Sequence, residues 1–289
     1  MANSISAEIL ARRTAAAAAG PAAAFLVFDT ESVPDGQLLA RVKYPGEDLT
    51  PEAAVEKART EAREQSRDGS DFIPVTFQTP VAVCVLRVGT DFMPQQLACL
   101  DAPAFRTPEI VRQFWRGVSC YPRAKLVTFN GRGFDLPLME LAAYDHGCSA
   151  RDHFQSSRNR YGGNHIDLFD WLSNYGAYRL VGGLNLLARR GRRPAGVGKM
   201  EIAGAQVCEM HRAGRLQEIN DYCMFDTLDT YFIFLRTRIL LGEITAEQEE
   251  QLSHRARAWL ADKSEVLPAL RQYLAKCEDE SERRGGGGG

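Results

Sequence analysis

The 289 residues are 45% hydrophobic and carry a formal charge of -2, which is enough apolar material for one large domain or one domain with appendages. With no excess positive charge the chain has no global attraction for nucleic acid, so such a partner has to be held by a local basic patch or through metal ions. Seven scattered cysteines without a C-x-x-C pair argue against a disulfide framework and a zinc site, and point to a reducing cytoplasm.

Met1 to Ala24 reads as a disordered or loosely helical leader. Arg12-Arg13 and the alanine tract resemble an export segment, but the tract lacks leucine and its apolar end runs straight into two acids. No other stretch reaches the about 18 apolar residues of a membrane helix. Phe25 to Phe28 reads as a strand that ends in Asp29-Thr30-Glu31. Residues two apart on a strand share a face, so Asp29 and Glu31 project together beyond its end. Two such oxygen ligands suit Mg²⁺ or Mn²⁺, although an Asp-x-Glu triplet alone is a chance-level signal.

Pro34-Asp35-Gly36 signals a turn. Thr50 as N-cap and Pro51 at the first position open a helix to Gln65, read as a solvated excursion. Val75 to Val88 predicts a long strand or a pair of strands, and Gln96 to Leu100 another. A helix runs from Thr107 through Trp115, with Ile110, Val111, Phe114 and Trp115 as its apolar stripe. Leu126 to Phe129 is a buried strand leading into the glycine-rich turn Asn130 to Pro137, followed by helical spacing over Leu138 to Tyr144. Asp135 falls in the first helical turn, where it either caps the helix or faces the sheet end beside Asp29 and Glu31.

Asp152 to Asn164 is polar and loop-like, and short helices follow over Asp167 to Asn174, Gly183 to Arg189 and Ala203 to Arg212. Leu216 to Leu241 is the longest helical pattern and is apolar around most of its surface. Asp226 within it is anomalous unless paired or metal-bound, and Tyr222 lies one turn before it on the same face. Ala246 to Ala261 and Ser264 to Cys277 predict two helices packed outside as a C-terminal addition, and Gly285 to Gly289 is a flexible tail.

Taken in order, Asp29-x-Glu31, Asn130-Gly-x-Gly-Phe-Asp135 and Tyr222-x-x-x-Asp226 make the sequence resemble the DEDD exonuclease superfamily. The tyrosine ahead of the last aspartate is that of its DEDDy branch. More closely, the chain is similar to stand-alone predicted 3′-to-5′ exonucleases related to the proofreading domain of family B DNA polymerases. Further correspondence lies in Phe28 to Asp35, His165 to Leu168, Gly198-Lys199-Met200 and Tyr222 to Asp226. The resemblance spans about Phe25 to Gly242 and takes residues 25–242 as the exonuclease domain, with 243–284 as C-terminal helices packed on it.

The resemblance implies an α/β, RNase H-like fold: a mixed five-stranded sheet of order 3-2-1-4-5 with helices on both faces. It implies that Asp29, Glu31, Asp135 and Asp226 converge on two Mg²⁺ or Mn²⁺ ions and that Tyr222 orients the attacking water. The reaction implied is in-line hydrolysis of the terminal phosphodiester of single-stranded nucleic acid, DNA in preference to RNA. An RNA-processing exonuclease and a catalytically silent nucleic-acid-binding module of the same fold are the alternatives. Thr30, Asn130, Phe134 and Lys199 are the candidates for substrate contact. Asn130 alternatively closes its turn and Phe134 alternatively joins the core, while Thr30 belongs on the strand face opposite the acids. Asp167 either caps its helix or supports the metals. Arg158, Arg160, Arg189, Arg190, Arg192 and Arg193 either follow a phosphate backbone or form a solvated loop.

Overall fold

Strand β1 (Ala23–Pro34) is the middle of the sheet, and its alternating side chains divide the protein into two layers. The computed structural model describes residues 22–67, 69–158, 163–190, 196–198 and 204–285; the expected leader up to residue 21 and the glycine tail after Gly285 lie outside them. Strand β2 (Gln78–Gly89) runs antiparallel to β1, and β3 (Pro94–Cys99) antiparallel to β2. On the other side β4 (Lys125–Thr128) is parallel to β1, and β5 (His165–Asp167) is parallel to β4. The order is β3-β2-β1-β4-β5, the mixed sheet the sequence led us to expect.

Leu26 and Phe28 of β1 face a layer made by helices α2 (Thr107–Cys120) and α3 (Asp135–Asp145), packing with Phe114, Trp115, Leu136 and Met139. Val27 points the opposite way, into the larger core around Leu228, Phe232 and Phe234. Those three belong to helix α7 (Leu216–Leu240), which the short helices α4 (Leu168–Leu172), α5 (Gly183–Arg189) and α6 (Gly204–Arg212) precede. The period-2 alternation of one strand thus places its odd and even residues in different layers.

Helix α7 is apolar all round because it is covered on its far side as well. Helices α8 (Ala246–Lys263) and α9 (Ala269–Gly285) bury Ala256, Leu260, Leu270 and Tyr273 in the same core as α7. They are the C-terminal helices the sequence led us to expect, and their apolar sides complete the core they pack on. Within it the Tyr273 hydroxyl donates to Asp229 Oδ1 of α7 at 2.8 Å. The second helix begins at Ala269 rather than Ser264 because Ser264 to Pro268 form a turn.

Three further expectations change. Helix α1 (Pro51–Gln65) has Thr50 as its N-cap, as its sequence predicts, but it is not simply solvated. Its Ala54, Val55 and Ala58 bury against Leu39, Tyr44 and Ile73, which fasten the excursion into a small core of its own. The expected turn after Pro34 is a helical turn, Gly36–Leu38, capped by Asp35 and continued to Lys43. The fifth strand that the resemblance implies takes His165–Asp167, and the helix expected from Asp167 starts at Leu168; three residues carry no readable period of their own. Among the described residues no helix is long and apolar enough to cross a membrane.

The buried link from α9 to α7 is testable. Tyr273→Phe removes one donor from a fully buried carboxylate, and a cost of ~1–3 kcal/mol is expected. Urea denaturation should show a lower midpoint at unchanged m; an unaltered midpoint would mean that the bond contributes nothing.

Candidate active site

Asp29 and Glu31 do not lie past the end of their strand, as the apolar run suggested. Strand β1 continues to Pro34, and its pairing with β2 runs through Asp29↔Cys84, Thr30↔Val83 and Glu31↔Ala82 before an irregularity at Ser32. What ends is the other edge. Pairing with β4 stops at Val27↔Val127, because β4 turns away after Thr128. The segment carrying both acids is therefore supported on one edge and open on the other, and the acids share the face turned toward α7. Cys223 of α7 touches β1 there, its thiol donating to the Asp29 carbonyl at 3.2 Å.

Helix α7 adds Asp226 to that face. One carboxylate oxygen from each of Asp29, Glu31 and Asp226 can be chosen so that all three lie within 4.8 Å of one another. A set of hard oxygen donors from rigid elements at this spacing suits a divalent cation of the Mg²⁺ class. Tyr222 sits one helical turn before Asp226 and is 2% exposed. Burial, with the negative charge of Asp226, Glu31 and Asp29, holds its phenol neutral well above the ordinary tyrosine range. The Asp226 carboxylate is near it without reaching hydrogen-bond geometry, so the hydroxyl has no partner among the described residues. An orphaned buried hydroxyl beside three acids is an observation in favour of a ligand between them.

Asp135 comes from the opposite layer. It is the first residue of α3, and its carboxylate accepts from the Thr30 hydroxyl at 2.6 Å. It is not one of the close trio, though it lines the same cleft. Burial pushes its pKa up to about 6, against the Thr30 hydrogen bond, which lowers it. Thr30 does lie on the face opposite Asp29 and Glu31, and its hydroxyl is committed to Asp135 rather than to the open cleft.

The turn that delivers Asp135 is clamped from outside. Asp167, at the end of β5, accepts from the backbone N–H groups of Asn130 at 2.9 Å and Arg132 at 2.8 Å. It also caps α4 through Phe169 and Asp170. Of the two roles open to it, capping is the one the structure displays, and the turn clamp comes with it. Asn130 adopts φ 66°, a left-handed conformation that asparagine tolerates. Gly131 is required by proximity, for a Cβ there would lie 2.3 Å from Thr128 Oγ1.

Asp29, Glu31, Asp135 and Asp226 line a cleft of about 710 Å³, with Asn130 on its exposed rim. Phe134 is half-buried on its wall, where it meets Phe72 at 5.9 Å between ring centroids, and Phe129 meets Phe169 at 5.7 Å. Phe134 is thus a cleft residue and not part of either core layer. Lys199, Arg160, Arg192 and Arg193 lie outside the described residues.

Residues 70–277, well over half of the chain, match the family described as "Predicted 3'-5' exonuclease related to the exonuclease domain of PolB". The chain belongs to this family. It is accordingly a predicted 3′-5′ exonuclease, in a class of enzymes that is typically metal-dependent and acts on nucleic acid. No curated protein matches the chain. The match to the exonuclease family includes Asp135, Tyr222 and Asp226 and extends over most of α9, but it starts after Asp29 and Glu31. Those two acids join the family residues through the geometry of β1 against α7.

Asp229 went unnoticed in the sequence. One turn beyond Asp226 and fully buried, it accepts from the N–H groups of Val197 at 3.0 Å and Gly198 at 2.8 Å as well as from Tyr273. An Asp in an apolar helix was the available signal, and Asp226 absorbed it. Gly196 packs so closely that an added Cβ would lie 2.0 Å from Asp229 Oδ1. Burial pushes the Asp229 pKa up to about 7, with the Tyr273 hydrogen bond working against it.

A raised folded-state pKa means that the unfolded chain releases this proton first. The stability carried by protonated Asp229 is therefore full below about pH 4 and lost as the pH rises through about 7. Asp229→Asn cannot ionise. Its melting temperature relative to wild type, measured in EDTA, should rise between about pH 5 and pH 8; a flat difference would contradict the assignment.

Proposed function

We propose that the protein is a metal-dependent 3′-5′ exonuclease that hydrolyses the terminal phosphodiester of single-stranded nucleic acid, DNA in preference to RNA, without a covalent intermediate. The observation that carries this reading is the convergence of Asp29, Glu31 and Asp226 to within 4.8 Å at the floor of the cleft. The preference for DNA rests on the relation of the family to a polymerase exonuclease domain.

In this reading Asp29, Glu31 and Asp226, with Asp135 across the cleft, would hold two Mg²⁺ or Mn²⁺ ions. Bound there, such ions supply positive charge that acidifies water and stabilises the oxygens of an in-line displacement. Tyr222 contributes a neutral hydroxyl, because its pKa is raised. It directs the attacking water by hydrogen bonding and does not take its proton. Thr30 acts through Asp135, fixing one carboxylate oxygen and leaving the other for the site. The Phe134 and Phe129 walls offer apolar faces on which the terminal bases stack, a contact that tolerates any base. Asn130 on the rim and Lys199 serve the sugar–phosphate backbone. The acid-bearing face is reached from an open sheet edge, which suits a frayed single strand better than a duplex. Seven free cysteines accord with a cytoplasmic setting.

A gel time course on 5′-labelled DNA and RNA strands of one sequence, with Mg²⁺ or Mn²⁺, tests the reading. A ladder shortening from the 3′ end on DNA is expected, and shortening of the RNA alone would transfer the assignment to an exoribonuclease. Asp29→Ala and Asp226→Ala should each lower kcat by at least about 10³-fold. Tyr222→Phe should lower kcat by about 10²-fold while Mn²⁺ affinity by calorimetry stays unchanged. Wild-type rates in either aspartate variant would sink the mechanism.

A further inference from the structure

The cleft is lopsided in charge. Its lining contains five carboxylates, Asp29, Glu31, Asp71, Asp135 and Asp226, and among the described residues one cation, Arg59. Ions bound between the acids would answer the charge of the scissile phosphate. They leave the rest of a polyanionic strand facing acidic walls, and a neighbouring phosphate needs its own donor.

Arg59 is built to be that donor. It stands on α1, whose Ala54, Val55 and Ala58 are buried against Leu39, Tyr44 and Ile73, so the helix is fastened to the body of the protein. The guanidinium spans to α6, where Nη2 donates to Cys208 Sγ at 3.0 Å. That thiol is buried, and burial raises its pKa, so it orients the guanidinium without neutralising it. Arg59 forms no ion pair among the described residues, whereas Arg63 on the next turn of α1 pairs with Asp71 at 3.4 Å. Most of its N–H donors remain for a ligand, and a planar guanidinium matches phosphate oxygens two at a time. Arg59 precedes residue 70, so the family match does not include it.

We infer that Arg59, held in the cleft lining by Cys208, binds a backbone phosphate of the strand upstream of the bond to be cut, making it a substrate-positioning residue. This rests on the nuclease reading above. Since a dinucleoside monophosphate has no upstream phosphate, the contact discriminates in favour of longer single strands.

The test uses the full chain and 5′-fluorescein dT10. Anisotropy in EDTA reads binding, and steady-state cleavage with Mn²⁺ reads kcat and KM, both across a salt series. Arg59→Ala should raise Kd and KM by about tenfold with kcat within about twofold, and flatten the log–log salt slope by about 0.7, the share of one phosphate contact on a single strand. Arg59→Lys should fall between wild type and Arg59→Ala, keeping the charge but losing the paired donors. Cleavage of dithymidine monophosphate should be unchanged by Arg59→Ala. Cys208→Ala, which keeps the positive charge but frees the guanidinium, should raise Kd and KM less than Arg59→Ala does and leave the salt slope at its wild-type value. An unchanged salt slope in Arg59→Ala overturns the inference, and so does a Cys208→Ala variant that flattens the slope as much as Arg59→Ala, since the wall and not the charge would then matter. If wild type binds dT10 without cutting it, the nuclease reading fails and the Arg59 contact is still judged by Kd and slope. If it neither binds nor cuts, both fall.

Discussion

Three carboxylates with oxygens within 4.8 Å of one another repel, and the fold has to hold them together against that repulsion. It does so with its stiffest parts. Asp29 and Glu31 stand on the central strand, locked by antiparallel pairing to β2. Asp226 stands on a helix buried between the sheet and the C-terminal helices. The proposed chemistry thus rests on regular elements, which place side chains more closely than loops do. In the metal-dependent reading, the same repulsion is what a bound cation would relieve.

Access to this cluster depends on a strand that stops early. Parallel pairing of β4 with β1 ends two residues before Asp29, and the chain turns sharply through Asn130 and Gly131 to start α3. Asp167 holds that turn by two backbone N–H groups while capping the next helix. One buried carboxylate on the edge strand therefore sets where Asp135 emerges. Asp229 performs a comparable task on the other layer, where it joins α7, the Val197–Gly198 segment and Tyr273 of α9 at a single buried acid. The C-terminal helices are therefore part of what supports the helix bearing Asp226 and Tyr222.

Much of this was legible in the chain itself. The apolar run that opens β1, the cap at Thr50, the apolar stripe of α2 and the all-round apolarity of α7 are local patterns, and the structure contains each of them. The order of the three acidic motifs pointed to the five-stranded sheet and to the family before any contact was known. Local periodicity and an acid in an apolar helix are readable because they follow from the geometry of one element and from the cost of burying charge.

Only the tertiary structure decided how those elements meet. It separated Asp135, bonded to Thr30, from the closer trio, and it placed both β1 acids within a paired strand rather than past its end. The roles of Asp167, Asp229 and Arg59 arise from hydrogen bonds to backbone or side chains 31 to 149 residues away in sequence. No local period encodes such partners. The sequence determined which residues share a face, and the packing of β1, α1 and α7 determined which faces share a cleft, because side-chain direction is a local property and proximity is not.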